Sequence, residues 1–123
     1  VANYLNDDIL DDGLTAAETL TENLYINSAV ATTFAEASST YALGVKATPT
    51  FTGPADATSG RKITVDAITD GTVTASGTAA FWALTDDSTS ALIAAGPLAA
   101  GVAVVSGGTF TLTAIAINIP DVA

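Results

Sequence analysis

The 123-residue sequence predicts a mainly β protein, an antiparallel β-sandwich of jelly-roll or Ig-like type with a short N-terminal helix or arm. Three observations carry that expectation. From about Val45 the composition turns to Thr, Val, Ile, Gly and Ala, residues that favour strands and turns over helix. Short apolar runs then alternate with turn signals such as "GPADATSG", "TDG", "TDDSTS" and "SGG". Nothing between those runs has the length or periodicity of a helical crossover, so neighbouring strands are expected to run antiparallel.

The first element is a helix. Leu5, Ile9, Leu10 and Leu14 form an apolar stripe at helical spacing, Asn6 or Asp7 can cap it, and aspartates suit its first turn. It is expected to end near Gly13, with Leu14 to Leu20 either extending it or forming a separate turn. In "NLYINSA", Leu24 and Ile26 alternate with Asn23, Tyr25 and Asn27, which predicts a strand.

Further strands are expected near 46–52, 61–68, 72–84, 91–98, 102–105 and 110–119. In "RKITVDAI" the apolar Ile63, Val65 and Ala67 share one face. In "TFTLTAIAINI" the apolar face changes parity midway, which points to a bulge or to burial on both sides. Phe81 and Trp82 are consecutive in a strand and must face opposite ways, so one is expected to anchor the core. The resulting organisation is residues 1–44 as an acidic helix or arm with the first strand, packed on or docking beside the body, and residues 45–123 as the sandwich body.

Composition excludes more chemistry than any motif suggests. The chain has no Cys, His or Met, which removes thiolate nucleophiles, disulfides, imidazole bases and Cys or His metal ligation. Its net charge of −10 sets 13 acids against Lys46, Arg61 and Lys62. Nucleic acid and anionic membrane are therefore unsuitable partners, and no run reads as a transmembrane helix. No basic cluster precedes an apolar run near Val1, so neither a secretory signal nor a lipid anchor is expected. Seven acids, Asp7, Asp8, Asp11, Asp12, Glu18, Glu22 and Glu36, precede the first base, so the first third is electrostatically distinct.

The opening "NDDILDDG" invites a calcium-loop reading, and counting positions removes it. With Gly13 at the sixth place of an EF-hand loop, Leu10 occupies the third and Thr19 the twelfth, where oxygen ligands are required. Asp86 with Asp87, and Asp66 with Asp70, are the available carboxylate pairs, but acids in turn sequence ordinarily hydrogen-bond their own backbone. There is no G-x-S-x-G elbow and no phosphate loop. No catalytic residue, cofactor or metal is expected, and the chain is not read as an enzyme. Arg61 and Lys62, the one basic pair, are expected at an exposed strand start, with pairing to the acidic arm of a neighbouring copy as the functional alternative.

Four stretches, "ANYLNDDILDDGL", "TTFAEASSTYALG", "SGRKITVDAITDGTVTASGTAAFWAL" and "SGGTFTLTAIAINIPD", resemble in order those of small structural proteins of tailed bacteriophages and prophages. Phe81 departs from the polar ring residue that often precedes the tryptophan in similar sequences. The resemblance implies a virion location and a capsid decoration, cement or head-fibre subunit that binds the major capsid protein or other virion subunits, as a homo-oligomer in the assembled particle. A neck or tail-tip subunit is the alternative, and a carbohydrate- or cell-surface-binding sandwich module is the alternative from another class. The contact residues expected are Tyr4, Leu5, Asp7, Asp8, Ile9, Leu10, Asp11 and Asp12 of the arm, with Arg61 and Lys62.

Overall fold

The computed structural model describes residues 6–119. The fold is mainly β, with two antiparallel sheets and an N-terminal helix. The helix α1 spans Asp7–Leu20, and the strands are β1 Asn23–Asn27, β2 Ala42–Ala47, β3 Phe51–Asp56, β4 Arg61–Val65, β5 Ile68–Val73, β6 Gly77–Asp86, β7 Ala91–Val104, β8 Thr109–Leu112 and β9 Ile115–Ile119. A π-helical turn, Glu36–Thr40, lies between β1 and β2. The chain divides into two compact units that interleave along the sequence. One takes residues 1–19, 50–67 and 113–123, and the other takes 20–49 and 68–112.

The first unit is α1 with the three-stranded sheet β3-β4-β9. Register places Ile63 opposite Ile117, and Val65 opposite both Phe51 and Ile115, so these apolar side chains share one face. Lys62, Thr64, Ala116 and Asn118 fall on the other. Ile63 and Val65 are almost wholly buried, as are Leu10 and Leu14 of the helix, one turn apart. The helix does not end at Gly13. A Cβ there would stand 3.4 Å from the Ile119 Cδ1, so the glycine is where the helix backbone comes closest to β9.

The second unit is the six-stranded sheet β7-β6-β1-β2-β5-β8. Along its middle, Leu24 is opposite Leu84 and Ile26 opposite Trp82, and all four are buried. Trp82 is the core anchor expected of the aromatic pair, with Phe81 half-buried beside it. The Phe110 ring lies across Gly71, where an added Cβ would be 2.2 Å from its Cζ. On the opposite face, Ala31 and Ala37 pack with Ala83 and against Leu92 and Ala95. Asn27 ties the π-helical segment down by donating its Nδ2 to the Ala37 carbonyl at 2.8 Å.

Several strand boundaries differ from expectation. The run 46–52 is broken at Thr48, which takes φ 47° ahead of Pro49, so β2 ends and β3 begins in the other sheet. The run 61–68 changes sheets after Val65, and 72–84 is interrupted between Val73 and Gly77. The two strands expected around "AAG" are one strand, β7, with residues 98–101 bulged out of register with β6. The parity change in 110–119 marks a transfer: β8 pairs with β5 in one sheet, and β9 pairs with β4 in the other.

Candidate interaction surface

Three groups of residues could carry an interaction: the acidic helix, the β6–β7 turn, and the uncharged C-terminal stretch. Tyr4 and Leu5 lie outside the described residues, as does the side chain of Asp7.

In α1, Asn6 begins the helix by accepting the Asp8 N–H on its Oδ1 at 2.7 Å, an N-cap bond. Asp8 and Asp12 are exposed, whereas Asp11 is half-buried and turned to the sheet. There Arg61 Nε donates to Asp11 Oδ1 at 2.7 Å and Arg61 Nη2 to Asp11 Oδ2 at 3.1 Å, a two-pronged contact that matches guanidinium to carboxylate. Arg61 Nη1 donates to Asp56, its cross-strand neighbour. The hydrogen bonds it donates to Asp11 and then to Asp56 push the Arg61 pKa upward.

Two expectations about this region need correcting. Arg61 does not stand free for the arm of a neighbouring copy, because Asp11 of the same chain satisfies it. Nor do Ile9 and Leu10 face the same way: Leu10 is 2 % exposed and Ile9 59 %. Adjacent helical residues are about 100° apart, and the sheet takes Leu10 together with Leu14. Ile9 instead shares the outer face with Asp12, Ala16 and Leu20, at i, i+3, i+7 and i+11. Leu20, 49 % exposed, was not among the expected contact residues, although the spacing from Ile9 was present in the sequence. Lys62 projects from the sheet face opposite Arg61 and is half-buried.

At the β6–β7 turn the structure gathers Glu22, Asp86 and Asp87. Asp87 accepts from Tyr25 Oη at 3.1 Å and from Thr85 Oγ1 at 2.5 Å. Glu22 Oε1 accepts the Ser88 N–H at 2.6 Å, while the Glu22 N–H donates to the Thr85 carbonyl at 2.8 Å. Asp86 is held below the ordinary carboxylate value, chiefly by a hydrogen bond with Glu22. Its burial opposes that shift, and bonds from Thr89 and the Ser88 N–H add to it. Tyr25 is shifted upward, by burial first and then by Asp87. Asp86 thus does what acids in turns ordinarily do, whereas Asp87 is held by the side chains of Tyr25 and Thr85; the part of Glu22, far away in sequence, had no local signal.

The other carboxylate pair is not a unit. Asp66 accepts from Thr52 Oγ1 at 2.6 Å, and Asp70 pairs with Lys46 at 3.0 Å. Among the described residues, no group of three or more acidic side chains is placed to hold a metal ion. No described helix is long and apolar enough to cross a membrane. Comparison with known proteins finds no matching family model, no matching curated protein and no matching solved structure.

Proposed function

We propose that this chain is a structural protein of a phage virion, a capsid decoration or head-fibre subunit that binds the major capsid protein in many copies. The observation that carries the reading is the division of labour on α1. Leu10, Leu14 and Asp11 fasten the helix to its own sheet, leaving Ile9 and Leu20 exposed on an outward face that Asp8 and Asp12 make acidic. A rigid, anchored helix with exposed apolar groups among carboxylates suits docking to a mixed apolar and basic surface, because little ordering entropy is lost on contact. The order of the phage-like stretches in the sequence supports the same reading.

The test is addition of purified protein to capsids that lack it, with binding and heat resistance measured. Binding that is lost in Ile9→Asp is expected. Failure of the parent protein to bind heads removes the decoration role, and labelling on intact virions then distinguishes a neck or tail-tip position. The carbohydrate-binding alternative calls for an exposed aromatic platform, and every described aromatic side chain is half-buried or buried.

A further inference from the structure

We infer that residues 28–41 form a flap that swings off the six-stranded sheet as one piece and uncovers an uncharged face of β1, β6 and β7. The proposal stands apart from the virion reading and does not use the acidic helix.

The segment leaves the sheet and returns to it at one place. Asn27, the last residue of β1, is paired with Ala42, the first residue of β2, and with Phe81 of β6. One residue further out, the Ser28 N–H donates to the Tyr41 carbonyl at 3.0 Å. A loop of this length with joined ends is a compact surface unit. Both strands are fixed at its base, so the ladder loses nothing when the segment between them moves. Inside the segment the hydrogen bonds are made to itself. Thr32 gives its N–H and its hydroxyl to Glu36 Oε1 at 3.0 and 2.7 Å, and Thr33 Oγ1 accepts the Glu36 N–H at 3.2 Å. The Ala37 N–H donates to the Thr33 carbonyl at 3.1 Å, the Tyr41 N–H to the Glu36 carbonyl at 2.9 Å, and Ser38 Oγ to the Phe34 carbonyl at 2.8 Å. All of these bonds survive if the segment turns as a body.

What holds the segment down is slight. Among the described residues one hydrogen bond crosses from it to the sheet, from Asn27 Nδ2 to the Ala37 carbonyl at 2.8 Å. The apolar contact is made by Ala31 and Ala37 against Ala83, Leu92 and Ala95. Alanine methyls bury little area, so this contact contributes far less than Leu24, Ile26, Trp82 and Leu84 on the other face of the sheet. The closed position also carries a penalty. Asn27 is fully buried, and its Oδ1 has no hydrogen-bond partner among the described residues. Opening gives that oxygen to water and removes the cost of leaving it unpaired. Few buried apolar contacts and few ties to the body are what distinguish units that open locally from those that open only with the whole fold.

The test uses the unaltered full chain and two single-cysteine variants, since the sequence has no Cys of its own. In the unaltered chain, hydrogen exchange of the Asn27 side-chain amide is followed beside that of the Leu24 and Ile26 backbone amides in the same strand. Opening of the flap exposes little surface, so exchange at Asn27 should hardly respond to low urea, whereas exchange at Leu24 and Ile26 should rise steeply with it through global unfolding. Ala83→Cys, beneath the flap, should react with an aromatic disulfide reagent at least about a hundredfold faster than its own global unfolding allows. Val73→Cys, at a buried position of β5 outside that cluster, should react only at the unfolding limit. A urea response at Asn27 that matches Leu24 and Ile26 overturns the proposal. So does a thiol at 83 that reacts no faster, relative to its unfolding limit, than one at 73. The exchange measurement on the unaltered protein decides the matter even if a cysteine variant fails to fold.

Discussion

Arg61 and Asp11, fifty residues apart, meet through two hydrogen bonds of 2.7 and 3.1 Å, so the first turns of the helix are latched to the first residue of β4. The latch is partly shielded, with side-chain exposures of 18 % for Arg61 and 27 % for Asp11. Asp56 holds the same guanidinium from its exposed side.

Arg61→Gln and Asp11→Asn are each expected to lower the melting temperature, and the double substitution should lower it by less than the two losses summed. Arg61→Lys should rescue only in part, since an ammonium cannot make the parallel pair of bonds. Thermal melts of the four proteins at low and moderate salt provide the check; strict additivity would show that the pair is not coupled.

The two sides of α1 should respond oppositely to truncation. Leu14→Ala removes a side chain that is 2 % exposed and should cost about 2–5 kcal/mol in urea unfolding. Ile9→Ala, at 59 % exposure, should change stability by no more than about 0.5 kcal/mol. A large loss at Ile9 would mean that the outer face is covered in the isolated chain.

Gly71 and Phe110 are a matched pair. An alanine methyl at 71 would stand 2.2–2.5 Å from the ring, so Gly71→Ala must displace Phe110 and is expected to cost about 1–3 kcal/mol. In a Phe110→Ala background, already weakened by the lost ring, the same change should cost much less. Equal costs in both backgrounds, by chemical denaturation, would contradict the contact.

Asp86 sets part of the acid limit of stability. Its folded-state pKa is depressed, so its contribution is present above the ordinary value of 3.8 and is lost as pH falls through the lower folded-state value. Asp86→Asn should flatten the melting temperature against pH below about 4 and leave the slope above pH 6 unchanged. Tyr25 works at the other end. Its pKa is raised, so its contribution is present below 10.0 and fades as pH rises through the folded-state value, and Tyr25→Phe should remove that alkaline loss.

Elements governed by local alternation were legible in the sequence. β1 follows from Leu24 and Ile26 against polar neighbours, and that one of Phe81 and Trp82 anchors the core follows from the two-residue period of a strand, with the fold selecting Trp82. Elements governed by distant contacts were not. Gly13 reads locally as a helix stop, yet packing of Leu10 and Leu14 carries the helix through it, at the point where Ile119 approaches. The "AAG" at 99–101 reads as a turn between two strands, but residues 98–101 bulge where β7 leaves register with β6 and interrupt the ladder without ending the strand. The π-helical turn has only a start signal in the sequence, Thr33 with Glu36 three residues on, whose N–H the Thr33 Oγ1 accepts at 3.2 Å; the Ala37 carbonyl's bond to Asn27, a residue of β1, is a distant contact with no local sign. The same limit applies to the helix surface: spacing identified an apolar stripe, whereas the choice between Leu10 inward and Ile9 outward was made by the sheet.

The interleaving of the chain has a consequence for its synthesis. The first unit takes its helix from the beginning of the described chain and its last strand, β9, from the end. On the ribosome, β3 and β4 emerge long before the segment that pairs with Arg61–Val65, and in that interval this side of β4 stays unpaired and its apolar face incompletely covered. Completion of this unit therefore awaits β9, made long after β4, and a nascent chain is most exposed to wrong partners in the interval before Ile115–Ile119 appears.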